Sequence, residues 1–182
     1  TKKSEAHDAL DAAAAYFAGS SEGEEYGGTY DGILLHMLAN RMCVHFGTCS
    51  SSRNNSEVNE KIVSLLYAAQ GEIDVGACDS LAKTVKGIEN ALTVPLIQAT
   101  LFAALENDLY LSGSVEAEDL LAEGYVLALS ILPLIHDADS SAASDIADVM
   151  VMFPRPENIR VAANHAKVFR AIQVALPKMK GL

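Results

Sequence analysis

Leu34, Leu38, Met42 and Phe46 recur at every fourth position, Leu35 widens the stripe, and Gly47 closes the run. That spacing matches the 3.6-residue turn of an α-helix and cannot be laid on the two-residue alternation of a strand. The same period returns along the whole chain, and β-branched residues nowhere alternate. A first helix runs from a Ser4 cap to Gly19, with Leu10, Ala13, Ala14 and Phe17 on one face, and residues 19–29 form a glycine-rich loop. The spacing predicts a second helix over about Thr29–Phe46. A third starts from an Asn55 or Ser56 cap, shows Ile62, Leu65, Leu66 and Ala69 on its apolar face, and has an irregular tail at GEIDVGA. A fourth runs from Asp79 or Ser80 to about Tyr110, kinked at Pro95. A fifth runs from a Ser114 cap to about Ile135, and a sixth covers Ser141–Met152. A seventh opens at Pro156 and ends before Pro177. The expectation is an all-α bundle of six or seven helices, a single domain over residues 1–182.

Half of the 182 residues are hydrophobic, enough for a full core. The net charge of −11 argues against nucleic acid, whose phosphates need Lys and Arg, and against an anionic membrane surface. The longest apolar run, Tyr125–Ile135, falls short of the about 18 residues of a spanning segment, so no transmembrane segment is expected. The TKKSEAHD start, without Met, is read as the product of leader removal or as the start of one part of a longer chain.

Three cysteines are too few for a disulfide-dense miniprotein, and Cys43, Cys49 and Cys78 form no CxxC pair. Cys43 and His45 with Cys49 and Cys78 fit no zinc spacing. The reading is one disulfide and one free thiol. Cys49 and Cys78 both sit in polar loops and are the first choice, with Cys43–Cys49 as runner-up. Asn54 heads an Asn-Asn-Ser glycosylation triplet, which together with a disulfide points to an extracellular or periplasmic location.

Signatures of known chemistry are missing. No helix pair offers Glu-x-x-His, and there is no HExxH, GxSxG, phosphate loop, GxGxxG or CxxCH. No nucleophile–base pair is readable, so an enzyme is not expected. His36 and His45 are nine residues apart. At about 100° per residue they occupy opposite helix faces. His136 follows an apolar helix, where a helix C-terminus favours it electrostatically; a metal-ligand role is the alternative. EGEEYGGTYD, residues 22–31, concentrates Tyr26 and Tyr30 among carboxylates. Phenolate and carboxylate are hard donors suited to Fe(III), with His36 near enough in sequence to close the set; a solvated acidic loop is the plainer reading. Glu89, Gln98 and Glu123 lie inside apolar helices, where a buried carboxylate needs a partner such as Arg41, Lys86 or a metal.

LDAAAAYFAGS, RMCVHFGTC, LTVPLIQATL and AEGYVLALSILPLIHDADSSAASDIADVM, in this order from Ala6 to about Met150, resemble the successive motifs of the algal low-iron-inducible periplasmic proteins. These are the iron-assimilation family related to phytotransferrins. The AYFAGS opening is also similar to the first helix of imelysin-like bundles. The resemblance implies a secreted or cell-surface protein that captures Fe(III), with disulfides in an oxidising compartment. It also implies one unit of a module that family members carry in duplicate. The expected metal ligands are Tyr26, Tyr30, His36, Glu89, Glu123 and His136, with a small synergistic anion completing the shell. A structural or interaction subunit on the same bundle, docking protein partners at the cell surface without metal, is the alternative.

Overall fold

The computed structural model describes residues 2–19, 34–51, 55–109, 115–151 and 165–179, with side chains described for all of these but 107–109 and 115–118. These residues form seven α-helices: α1 (Lys2–Ala18), α2 (Leu35–Phe46), α3 (Glu57–Val75), α4 (Cys78–Leu109), α5 (Val115–Ala138), α6 (Ser140–Met150) and α7 (His165–Ala175). A 3₁₀ turn, Leu176–Lys178, follows α7. Among the described residues the only extended pairing is a single bridge between Cys49 and Ser56. The all-α class expected from periodicity is what the chain adopts.

The helix ends follow their capping residues. Ser56 caps α3, its hydroxyl accepting from the Val58 N–H at 3.3 Å. Gly47 ends α2 in the left-handed region at φ 66°, a conformation that costs any residue with a Cβ, and Thr48 N–H then donates back to the Cys43 carbonyl. The GEIDVGA stretch, expected to be irregular, continues α3 to Val75, because the left-handed Gly76 and not Gly71 stops the helix. Asp139 caps α6, accepting from the Ala142 N–H at 2.9 Å, and pairs with Lys178. The predicted starts of the second, fifth and seventh helices, at Thr29, Ser114 and Pro156, lie outside the described residues.

The chain divides into two compact units, one over residues 1–95 and the other from residue 96 onward, with the division falling after Pro95 inside α4. In the first unit α1 packs on α3 and α2, and α2 on α3. Its core is Phe17, Ile62 and Ala91, flanked by Leu35, Val58, Leu66 and Leu92. A polar clasp on the α1–α3 contact adds Lys3 Nζ and His7 Nε2 at 3.0 and 3.2 Å from Asp74 Oδ1. Lys3, as hydrogen-bond donor and nearby cation, holds the Asp74 carboxyl below its ordinary pKa.

In the second unit α5 packs on α6 and α6 on α7. Ile131, Ile135, Ile146, Val168 and Ile172 are fully buried between them, with Ala128, Ala143 and Ala171 at the close approaches. Fully burying one such side chain stabilises by about 1.5–3 kcal/mol, so this aliphatic seam is the main source of the unit's stability. Helices Cys78–Glu106 and Asp119–Ala138 are also long and apolar enough to cross a membrane, by length and composition alone. Counting only uninterrupted apolar runs had excluded such segments, because isolated polar residues such as Glu89, Gln98 and Glu123 divide them.

Replacing Ile131 with alanine removes buried methyls from a position with no exposure. It is expected to lower stability by about 2–5 kcal/mol, read as a shift in the denaturant midpoint at unchanged slope.

Candidate functional site

The residues with unusual chemistry gather where α2 meets α3. On α2 the fully buried side chains are His36, Ala39, Met42 and Cys43; of the expected stripe Met42 is buried, Leu34, Leu35 and Leu38 are half-buried and Phe46 is exposed. Phe46 is 37% exposed. Three positions at i, i+4 and i+7 contact α3 or the chain leading into it. The His36 carbonyl accepts from Asn59 Nδ2 at 2.9 Å. Asn40 Oδ1 accepts from Asn59 Nδ2 and from the Ser56 N–H, each at 2.8 Å. Cys43 is bonded to Cys49.

This disulfide corrects the expected Cys49–Cys78 pair. Cys49 lies before the start of α3 and Cys78 beyond its end, and a helix of 19 residues separates them by about 28 Å. The Gly47 reversal, in contrast, brings the Cα of Cys49 to 4.8 Å from that of Cys43, within disulfide reach. Cys78 is a free, exposed thiol.

His36 is the most unusual of the group. It is 5% exposed, sits edge-on to Phe17 with ring centroids 5.5 Å apart, and among the described residues neither ring nitrogen has a hydrogen-bond partner. Burial lowers its pKa from the ordinary 6.5, so the ring is neutral at pH 7. A buried unpaired polar group costs about 1–3 kcal/mol, which marks this ring for a role that its packing does not supply. A neutral imidazole with a free nitrogen is a competent metal donor.

The other expected ligands stand elsewhere. Glu89 is exposed and pairs with Lys86 Nζ at 3.1 Å, one of the cations anticipated for it, so the expectation of a buried carboxylate there is corrected. Glu123 is likewise exposed, as is His136. His36 and Glu89 belong to the first unit, Glu123 and His136 to the second. Among the described residues no three His, Cys, Asp or Glu side chains come together. Tyr26, Tyr30 and Asn54 lie outside the described residues.

The polar network of Asn40 and Asn59 escaped the sequence reading. Its signal is that Asn59 continues the apolar series Ile62, Leu66, Ala69 and Ile73 one turn toward the N-terminus, where a hydrophobic residue is expected. An open groove of about 570 Å³ also runs between α1 and α3, lined mainly by Leu10, Ala14, Phe17, Val63, Leu66 and Tyr67. These features define an α-helical protein whose first unit joins a disulfide at the end of α2 to a buried histidine with no ring hydrogen bond among the described residues. Set against family models, curated proteins and solved structures, the chain matches none.

The low His36 pKa ties stability to pH. The folded state resists protonating this ring while the unfolded chain accepts a proton near 6.5. Stability is therefore full above pH 6.5 and declines as pH falls through the lower folded value. Thermal midpoints recorded from pH 8 to pH 5 should decrease, and H36L should flatten the part of that decrease below pH 6.5.

Proposed function

We propose that this is a secreted or cell-surface helical protein that binds ferric iron or assists its uptake, with the metal held in the first unit. The observation that carries the reading is the buried His36 imidazole, whose two nitrogens have no hydrogen-bond partner among the described residues. The residues just before it in sequence include Tyr26 and Tyr30 amid Glu22, Glu24, Glu25 and Asp31. Phenolates and carboxylates are the hard donors that Fe(III) prefers, and a neutral imidazole can complete the set. A small anion would fill the remaining positions. The Cys43–Cys49 disulfide supports an oxidising compartment. Glu89 is left out because it already has Lys86, and Glu123 and His136 because they belong to the second unit.

A second reading, an interaction subunit without metal, is favoured by large exposed side chains: Tyr16 at 81%, Tyr67 at 70% and Val126 at 63%. Tyr67 also lines the α1–α3 groove. Such residues are the material of protein interfaces.

Adding Fe(III) to metal-free protein is expected to produce a visible phenolate-to-iron charge-transfer band. Y26F or Y30F should abolish it, and H36A should weaken iron retention. Binding should fall with pH, because phenols must release protons to ligate. If no band develops and dialysed protein keeps no iron, the ferric reading is overturned and the interaction subunit takes its place.

A further inference from the structure

Helix α1 runs antiparallel to α3. Lys3 and His7, near its start, meet Asp74 at the far end of α3, and Phe17, near its finish, shares a core with Ile62. In that register Asp11 stands opposite Gln70, and Ala18 opposite Val63. The groove between the two helices holds about 570 Å³, within the range of small-molecule sites, about 300–1,000 Å³. It exists because Ala14 and Ala18 are too short to fill the space beside Val63, Leu66 and Tyr67. Its two ends differ. Toward Gly19 the lining is apolar, with Phe17 almost fully buried. Toward the other end lie the Asp11 carboxylate, the Gln70 amide and the Tyr67 ring. From Asp11 to Ala18 the helix rises about 10 Å.

We propose that this groove binds a small amphiphile carrying one positive charge, with an ammonium head beside Asp11 and an apolar tail laid toward Phe17 and Val63. Among the described lining residues Asp11 is the only charged one. His7 and Lys3, one and two turns before it, are held by Asp74, and Asp11 itself has no ion-pair partner among the described residues. One carboxylate matches one cationic head and does not make a ligand set for a metal ion. Tyr67 adds an aromatic ring, the group that attracts ammonium over its face, and the Gln70 side-chain carbonyl can accept an ammonium N–H. An anionic head would be repelled by Asp11 and by the net charge of −11. The tail covers apolar wall that otherwise meets water. A partner helix, about 10–12 Å across with its side chains, is as broad as this groove is long and cannot seat in it. The site needs no metal, so it stands or falls apart from the ferric reading.

The test is isothermal titration calorimetry of the metal-free full chain with octylammonium, octyl sulfate and tetramethylammonium at low ionic strength. Octylammonium is expected to saturate one site and to bind at least about fivefold more tightly than octyl sulfate. D11N should weaken octylammonium about two- to fivefold, the size of one exposed ion pair. Tetramethylammonium, which lacks the tail, should show no saturable binding. A14L fills the groove and should abolish octylammonium binding with helical circular dichroism retained. D11N alters only an exposed side chain, so the charge comparison holds even if A14L unfolds. Absence of saturable octylammonium binding, equal binding of the two octyl probes, or binding that survives in folded A14L overturns the proposal. So does a wild-type dimer, seen by sedimentation, that A14L dissociates, because a second copy would then occupy the groove.

Discussion

The Asn59 side chain has no exposure, and its amide nitrogen lies within 3.1 Å of three oxygens, from His36, Asn40 and Asn55. Two hydrogens shared among three acceptors leave no slack, and a buried amide deprived of these partners would pay its full desolvation. The rest of the first unit follows from this contact. It joins α3 to the face of α2 that carries His36, Asn40 and Cys43. Hydrophobic periodicity alone would have placed Phe46 inside with Leu34 and Leu38, which are half-buried. The Asn59 amide nitrogen is fully engaged, while its Oδ1 is buried with no partner among the described residues; directional bonds of this kind specify one arrangement where apolar side chains tolerate several.

The second unit rests on a different principle. Its core is a seam of isoleucine, valine and alanine, in which alanines on α5, α6 and α7 permit close helix contact and branched side chains fill the gaps. Its ion pairs lie at its edges, where Asp139 caps α6 and pairs with Lys178, and Lys167 bridges Asp145 and Asp148, while the buried Thr100 hydroxyl donates within α4 to the Leu96 carbonyl. Ion pairs this exposed contribute little to stability and serve to orient α6 against its neighbours. The chemistry of interest therefore concentrates in the first unit, where polar groups are enclosed.

Much of the architecture was legible before any coordinates. Ser56 as a cap, and Gly47 as a stop, act through their own backbone and side-chain chemistry within a few residues, so local sequence suffices to find them. The candidate site was less legible. Glu89 looked like a buried carboxylate because its sequence neighbours are apolar, yet its position on α4 faces solvent beside Lys86. The cysteine pair was misread for a related reason: loop composition identified two exposed-looking cysteines but carried no information on the length of α3 lying between them.

By itself, then, the chain's 3.6-residue period and its capping residues determined that it would be helical and roughly where the helices stop, since both depend on contacts within one or two turns. Only the tertiary structure decided which face of α2 turns inward, which cysteines meet, and that His36 is buried with no partner for its ring nitrogens among the described residues. Those outcomes depend on residues from 6 to 23 positions apart, such as Cys43 with Cys49 and His36 with Asn59. Folding brings such residues together because satisfying a buried amide and closing the apolar core both demand it.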